Sequence, residues 1–136
     1  MCTHIITVEP TILQPTDESV TINETDSYSI TCNATGIPAP MTFIWLKDGV
    51  VQNYTMNTDR ISVSGSSPAV PYSTSDGIVQ SVSQVLTISS AVDGDSGMYT
   101  CRVSNGVRNN DCHSVTIQLV VQGYYSSRSI LYTLTT

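Results

Sequence analysis

The sequence predicts an all-β fold in which two sheets pack face to face as a sandwich. Three observations predict it. No stretch of useful length repeats apolar residues at helical spacing. Short segments instead alternate apolar and polar residues, and Gly, Pro, Asn, Asp and Ser separate them. Charged residues make up 12% of the 136-residue chain, against about 25% in ordinary domains. Ser and Thr fill much of the gap, which suits strands rich in β-branched and hydroxyl side chains.

The elements follow in chain order. Val20-Thr21-Ile22 reads as a short strand. Tyr28-Ser29-Ile30-Thr31-Cys32 alternates, with Tyr28, Ile30 and Cys32 on one face. Gly36 to Pro40 reads as a loop, because its two prolines cannot sit in a central strand. Thr42 to Lys47 is the next strand, with Phe43 and Trp45 on one face, and Asp48-Gly49 turns the chain. Arg60 to Ser64 is a short strand candidate, and Gly65 to Gly77, rich in Ser, Pro and Gly, reads as a long loop. Gln80 to Ser90 places Val82, Leu86 and Ile88 together. Gly97 to Ser104 turns Tyr99, Cys101 and Val103 inward, and Val115, Ile117, Leu119 and Val121 alternate in the last strand. The length suits one domain with its own core, expected over residues 4–122. Residues 123–136 read as a linker or a poorly ordered tail.

Charge and cysteine usage narrow the function. The net charge is −6, and Lys47, Arg60, Arg102, Arg108 and Arg128 are scattered. Without concentrated positive charge, nucleic acid and anionic membrane surfaces are not expected partners. No apolar run is long enough for a membrane span in this segment. Cys2, Cys32, Cys101 and Cys112 form no C-x-x-C pair, which argues against a zinc site. Their even number and wide spacing suggest two disulfides and an oxidising compartment. The first ten residues lack the basic start and long apolar stretch of a signal peptide. The expectation is therefore a segment of a longer extracellular protein.

Cys32, Trp45, Leu86-Thr87-Ile88 and Asp95-Ser96-Gly97-Met98-Tyr99-Thr100-Cys101 together resemble the immunoglobulin superfamily, over roughly residues 10–121. The resemblance implies an immunoglobulin-like Greek-key sandwich. It implies that Cys32 and Cys101 cross-link the two sheets, that Trp45 packs on that disulfide, and that Tyr99 forms a tyrosine corner. Gly97 would permit a tight approach before the tyrosine strand. Closing so long a loop would contribute about 4 kcal/mol. Cys32 to Gly49 is similar to intermediate-set domains of adhesion molecules and receptor kinases, although one extra residue separates Pro40 from Trp45. The cysteine separation is similar to variable-type domains. So is Arg60, which in such a domain would pair with Asp95; the alternative is an exposed arginine starting a strand.

In the implied fold a Cys2–Cys112 bridge would staple the N-terminus to the start of the last strand. An intermolecular disulfide, or a partner cysteine outside the segment, is the alternative. Asn23-Glu24-Thr25, Asn33-Ala34-Thr35 and Asn53-Tyr54-Thr55 are sequons for N-linked glycans, and alternation turns Asn33 outward.

Ile44 and Leu46 are expected on the outer side of the Trp45 strand, and Met98, Thr100 and Arg102 on the outer side of the Cys101 strand. The resemblance puts these strands in one sheet, so they form a candidate binding face. Asn105 to Asp111 would be a polar loop at the end where variable domains recognise ligands. His4 and His113 are lone histidines, and Asp93 to Gly97 lacks the ligands and closing Glu of a calcium loop. No catalytic, metal or cofactor site is expected. The implied role is protein binding, in adhesion or ligand recognition, by a cell-surface or secreted glycoprotein with a protein ligand or a homophilic partner. The alternatives are a module of a signalling-receptor ectodomain and a spacer that binds nothing.

Overall fold

The computed structural model describes residues 8–39, 42–54, 60–75, 77–106 and 112–123. They form the expected two-sheet sandwich. One sheet contains β1 (Val8–Gln14), β3 (Tyr28–Ile37) and β8 (Gly77–Ile88), in that order. Two short strands, β6 (Ile61–Val63) and β7 (Val70–Thr74), pair with successive stretches of the far edge of β8. The other sheet runs β2 (Ser19–Asn23), β10 (Cys112–Gln122), β9 (Gly97–Ser104), β4 (Thr42–Lys47) and β5 (Val50–Val51). Its β2–β10 pair is parallel, and its other pairs are antiparallel.

The period of two that marks the strands also builds the core. Ile30, Cys32 and Ala34 of β3, with Leu86 and Ile88 of β8, meet Trp45, Tyr99, Cys101, Val103, Ile117, Leu119 and Val121 from the opposite sheet. Each large apolar side chain sealed this way contributes about 1.5–3 kcal/mol. Two links cross the sandwich inside this layer. Cys32 and Cys101 are joined, with 6.4 Å between their Cα atoms and a sequence separation of 69. Trp45 lies beside Cys101 in the β4–β9 ladder. Its indole N–H donates to Gln84 Oε1 on β8 at 2.7 Å.

Several elements differ from the sequence expectation. Gly36 and Ile37 belong to β3 rather than to a loop, because Gln80 pairs with Gly36 and Val8 with Ile37. The stretch expected as one long loop before Gly77 contains β7, and β8 begins at Gly77. Ser64 and Ser67 hold the approach to β7 against β8 by N–H bonds to Val85 O and Ser83 O, both 2.8 Å. Pro71 removes one N–H from this edge strand, which blunts further pairing there. The chain's first described strand is β1, not the Val20 segment, and it pairs with β3 in the sheet away from β10. Cys2 and the Cys112 side chain lie outside the described residues, so the second cysteine pair does too.

Candidate functional site

The turn between β8 and β9 organises one end of the sandwich. A single 3-10 turn, Asp93–Asp95, brings the Asp95 carboxylate inward. Arg60 Nη1 bonds Asp95 Oδ2, and Nη2 bonds Oδ1 at 2.9 Å. The Val92 N–H donates to Oδ2 at 2.9 Å, and the Tyr99 hydroxyl donates to the Asp95 carbonyl at 2.6 Å. Burial alone would raise the Asp95 carboxyl, but Arg60, the Val92 N–H and the Lys47 charge outweigh it and hold the carboxyl below the ordinary Asp value. Burial, then Tyr54, Asp95 and Asp48, push the Tyr99 phenol well up. Gly97 starts β9 where a Cβ would stand 2.9 Å from Asp48 Oδ1, the oxygen that accepts the Met98 N–H at 2.9 Å. These groups brace the end of the fold.

The outer face of the second sheet carries the residues that the sequence singles out for binding. Arg102 sits opposite Ile44 in the β4–β9 ladder, and both are half-buried. Met98 is 44% exposed. Thr100 and Thr116 share a hydroxyl bond of 2.8 Å beside them. Leu46 corrects the expectation, since it is only 5% exposed. Both of its ladder neighbours are present, Val51 on β5 and Thr100 on β9. Ile44 has a paired strand on one side only, because β5 ends at Val51. Leu46 therefore packs as part of the sheet, and Val51, at 55% exposure, takes its place at the surface. Asn105, expected in a polar loop, is buried, and its Nδ2 donates to the Pro38 carbonyl at 3.1 Å. Residues 107–111 of that loop lie outside the described residues.

The three sequon asparagines occupy different settings. Asn23 is exposed at the end of β2, where its N–H donates to Asp26 Oδ2 at 3.1 Å. Asn33 is half-buried in β3, and its Oδ1 accepts the Ser81 hydroxyl at 2.8 Å. Asn53 is exposed and lines a groove of about 520 Å³ at the open edge of the sandwich.

The β7–β8 hairpin is a surface that the sequence reading missed. Gly77, Ile78 and Val79 run past the last β3–β8 pair, Gly36 with Gln80. Ile78 is 62% exposed, and Val70 and Tyr72 are exposed on the paired strand. The signal was Asp76-Gly77, a hairpin dipeptide between the apolar residues of Val70 to Tyr72 and Ile78 to Val79. His113 lies in β10, and His4 is outside the described residues. Among the described residues no group of three or more His, Cys, Asp or Glu is placed to hold a metal, and no helix is long and apolar enough to cross a membrane.

A model of the immunoglobulin domain matches residues 9–105. Hemicentin-2 of Mus musculus is 36% identical over 92 residues, which is 68% of this chain and 1% of that protein, so the chain spans a very small part of this relative. The N-terminal eight-domain structure of Down Syndrome Cell Adhesion Molecule isoform 1.30.30 superposes with a TM-score of 0.58 at 29% identity, over 84% of this chain and 13% of that one. The N-terminal Ig1-2 module of the Drosophila Receptor Protein Tyrosine Phosphatase DLAR superposes with a TM-score of 0.59 at 24% identity, over 86% and 50%, and this likeness is one of fold. The family model covers well over half of the chain, and the described strands form the disulfide-linked sandwich it implies: the chain belongs to the immunoglobulin domain family.

Proposed function

We propose that this domain is an extracellular protein-recognition module that binds a protein partner through the outer face of the β4–β9–β10 sheet. The observation that carries the reading is the placement of Met98 and Val51, both exposed, around Ile44 and Arg102 on that face. Apolar side chains with a charged arginine at their border are the ordinary make-up of a recognition patch. The likeness to a protein named as a cell adhesion molecule supports adhesion as the role. The sequons support an extracellular setting, and Asn33 lies on the other sheet, away from the proposed face.

The test displays the domain on cells and measures binding to itself and to a panel of secreted ectodomains. Met98→Asp and Ile44→Asp are expected to weaken the interaction at least tenfold, which corresponds to about 1.4 kcal/mol. An Ile78→Asp control on the hairpin is expected to bind normally. Equal binding by the two face variants sinks the proposed face, and a parent domain that binds nothing leaves a spacer.

A further inference from the structure

The groove at Asn53 lies where the two sheets part, between β4 and β5 of one and β6 and β8 of the other. Phe43, Tyr54 and Val63 supply an apolar lining, and each packs partly against the core. Gln52 and Gln84 add side-chain amides. Gln84 already accepts the Trp45 indole N–H, so it joins the groove to the tryptophan beneath it. Aromatic surface with a few polar groups, in a volume within the range of about 300–1,000 Å³, is the general chemistry of a small-ligand site. It suits a pyranose in particular, which offers C–H groups on its face and hydroxyl and amide groups at its edge.

Asn53 is itself part of the lining, and Asn53-Tyr54-Thr55 is a sequon. Neither Asn23 nor Asn33 lines this groove. A sugar attached at Asn53 starts at the groove, so its docking is intramolecular and needs little intrinsic affinity. We propose that Asn53 carries an N-linked glycan whose first N-acetylhexosamine lies in this groove over Phe43 and Tyr54, closing the open edge of the sandwich. Ile44 and Val51 also border the groove, so the glycan forms one rim of the recognition face. The inference rests on the extracellular reading above.

The experiment uses the domain secreted from eukaryotic cells, with site occupancy read by glycopeptide mass spectrometry. The folded protein is divided in two: one half is trimmed by an endoglycosidase to a single N-acetylglucosamine, the other stripped by an amidase. Trp45 is the one tryptophan in the chain and reports on the groove. The trimmed form is expected to keep the melting temperature and Trp45 emission of the intact glycoprotein. The stripped form should melt lower by about 4 °C and shift its emission. Thr55→Ala, which removes the acceptor signal and keeps Asn53, should reproduce the stripped form, whereas Thr25→Ala should move neither readout. Occupancy at Asn23 with none at Asn53 overturns the inference and leaves the extracellular reading standing. So does an occupied Asn53 whose stripping changes nothing. Secreted protein bearing no glycan at any sequon overturns the inference, and failure of export in its native context overturns the extracellular reading as well.

Discussion

Replacing Arg60 with Ala removes one side of a pair whose other side is sealed in the turn before β9. Asp95 is buried, while the Arg60 side chain keeps 38% of its surface exposed. Breaking a fully buried pair costs about 3–5 kcal/mol, and an exposed one contributes about 0.2–1 kcal/mol. The half-exposed arginine places this pair between the two, at about 2 kcal/mol. The sign of the pH dependence follows from Asp95. Its folded carboxyl is held below the ordinary value, so the pairing contributes fully above the unfolded pKa and is lost as pH falls through the folded one. In the variant only the Val92 N–H and the Lys47 charge still oppose the burial, and the folded carboxyl rises. The stability gap between parent and Arg60→Ala is expected to be full above about pH 5 and to close below about pH 4. Urea unfolding followed by Trp45 emission measures both curves. A cycle with Asp95→Asn isolates the pair, and the double variant should lose less than the sum by about 1–2 kcal/mol. A loss under about 0.5 kcal/mol at neutral pH, or a gap that ignores acidification, would show that the Arg60–Asp95 pair does not stabilise this end of the fold.

Reduction of the Cys32–Cys101 link, which closes a 69-position separation, should cost about 4 kcal/mol; a melting temperature unchanged by reductant would show that the sheets hold without it. Gly97→Ala should destabilise by about 1–3 kcal/mol, because the new methyl meets the Asp48 carboxylate at 2.9 Å. Adding Asp48→Ala should then recover part of that loss, and equal stability of parent and Gly97→Ala in thermal melts contradicts the close approach.

Much of the fold is legible because alternation is a local property. Ile30, Cys32, Trp45, Leu86, Tyr99, Cys101 and Leu119 are inward in the structure, and each is inward by the period of two. The Arg60–Asp95 pair was legible through the family pattern that surrounds Asp95. Leu46 shows where the local rule stops. Alternation assigns it to the outer side of β4, and burial then depends on β5 and β9 lying on either side of it. The β7 strand was hidden for a related reason, since a short segment with Pro71 becomes a strand only when β8 offers its edge.

Which residues alternate, where the cysteines and the tryptophan fall, and which asparagines sit in sequons are local properties of the chain. Those properties depend on neighbours a few positions away. Long-range packing sets the rest: β2 runs parallel to β10 while β1 joins the other sheet, Val51 replaces Leu46 at the surface, and Phe43, Asn53, Val63 and Gln84 line one groove. Those outcomes depend on which strand edges meet and where the two sheets separate, and contacts between distant segments set both.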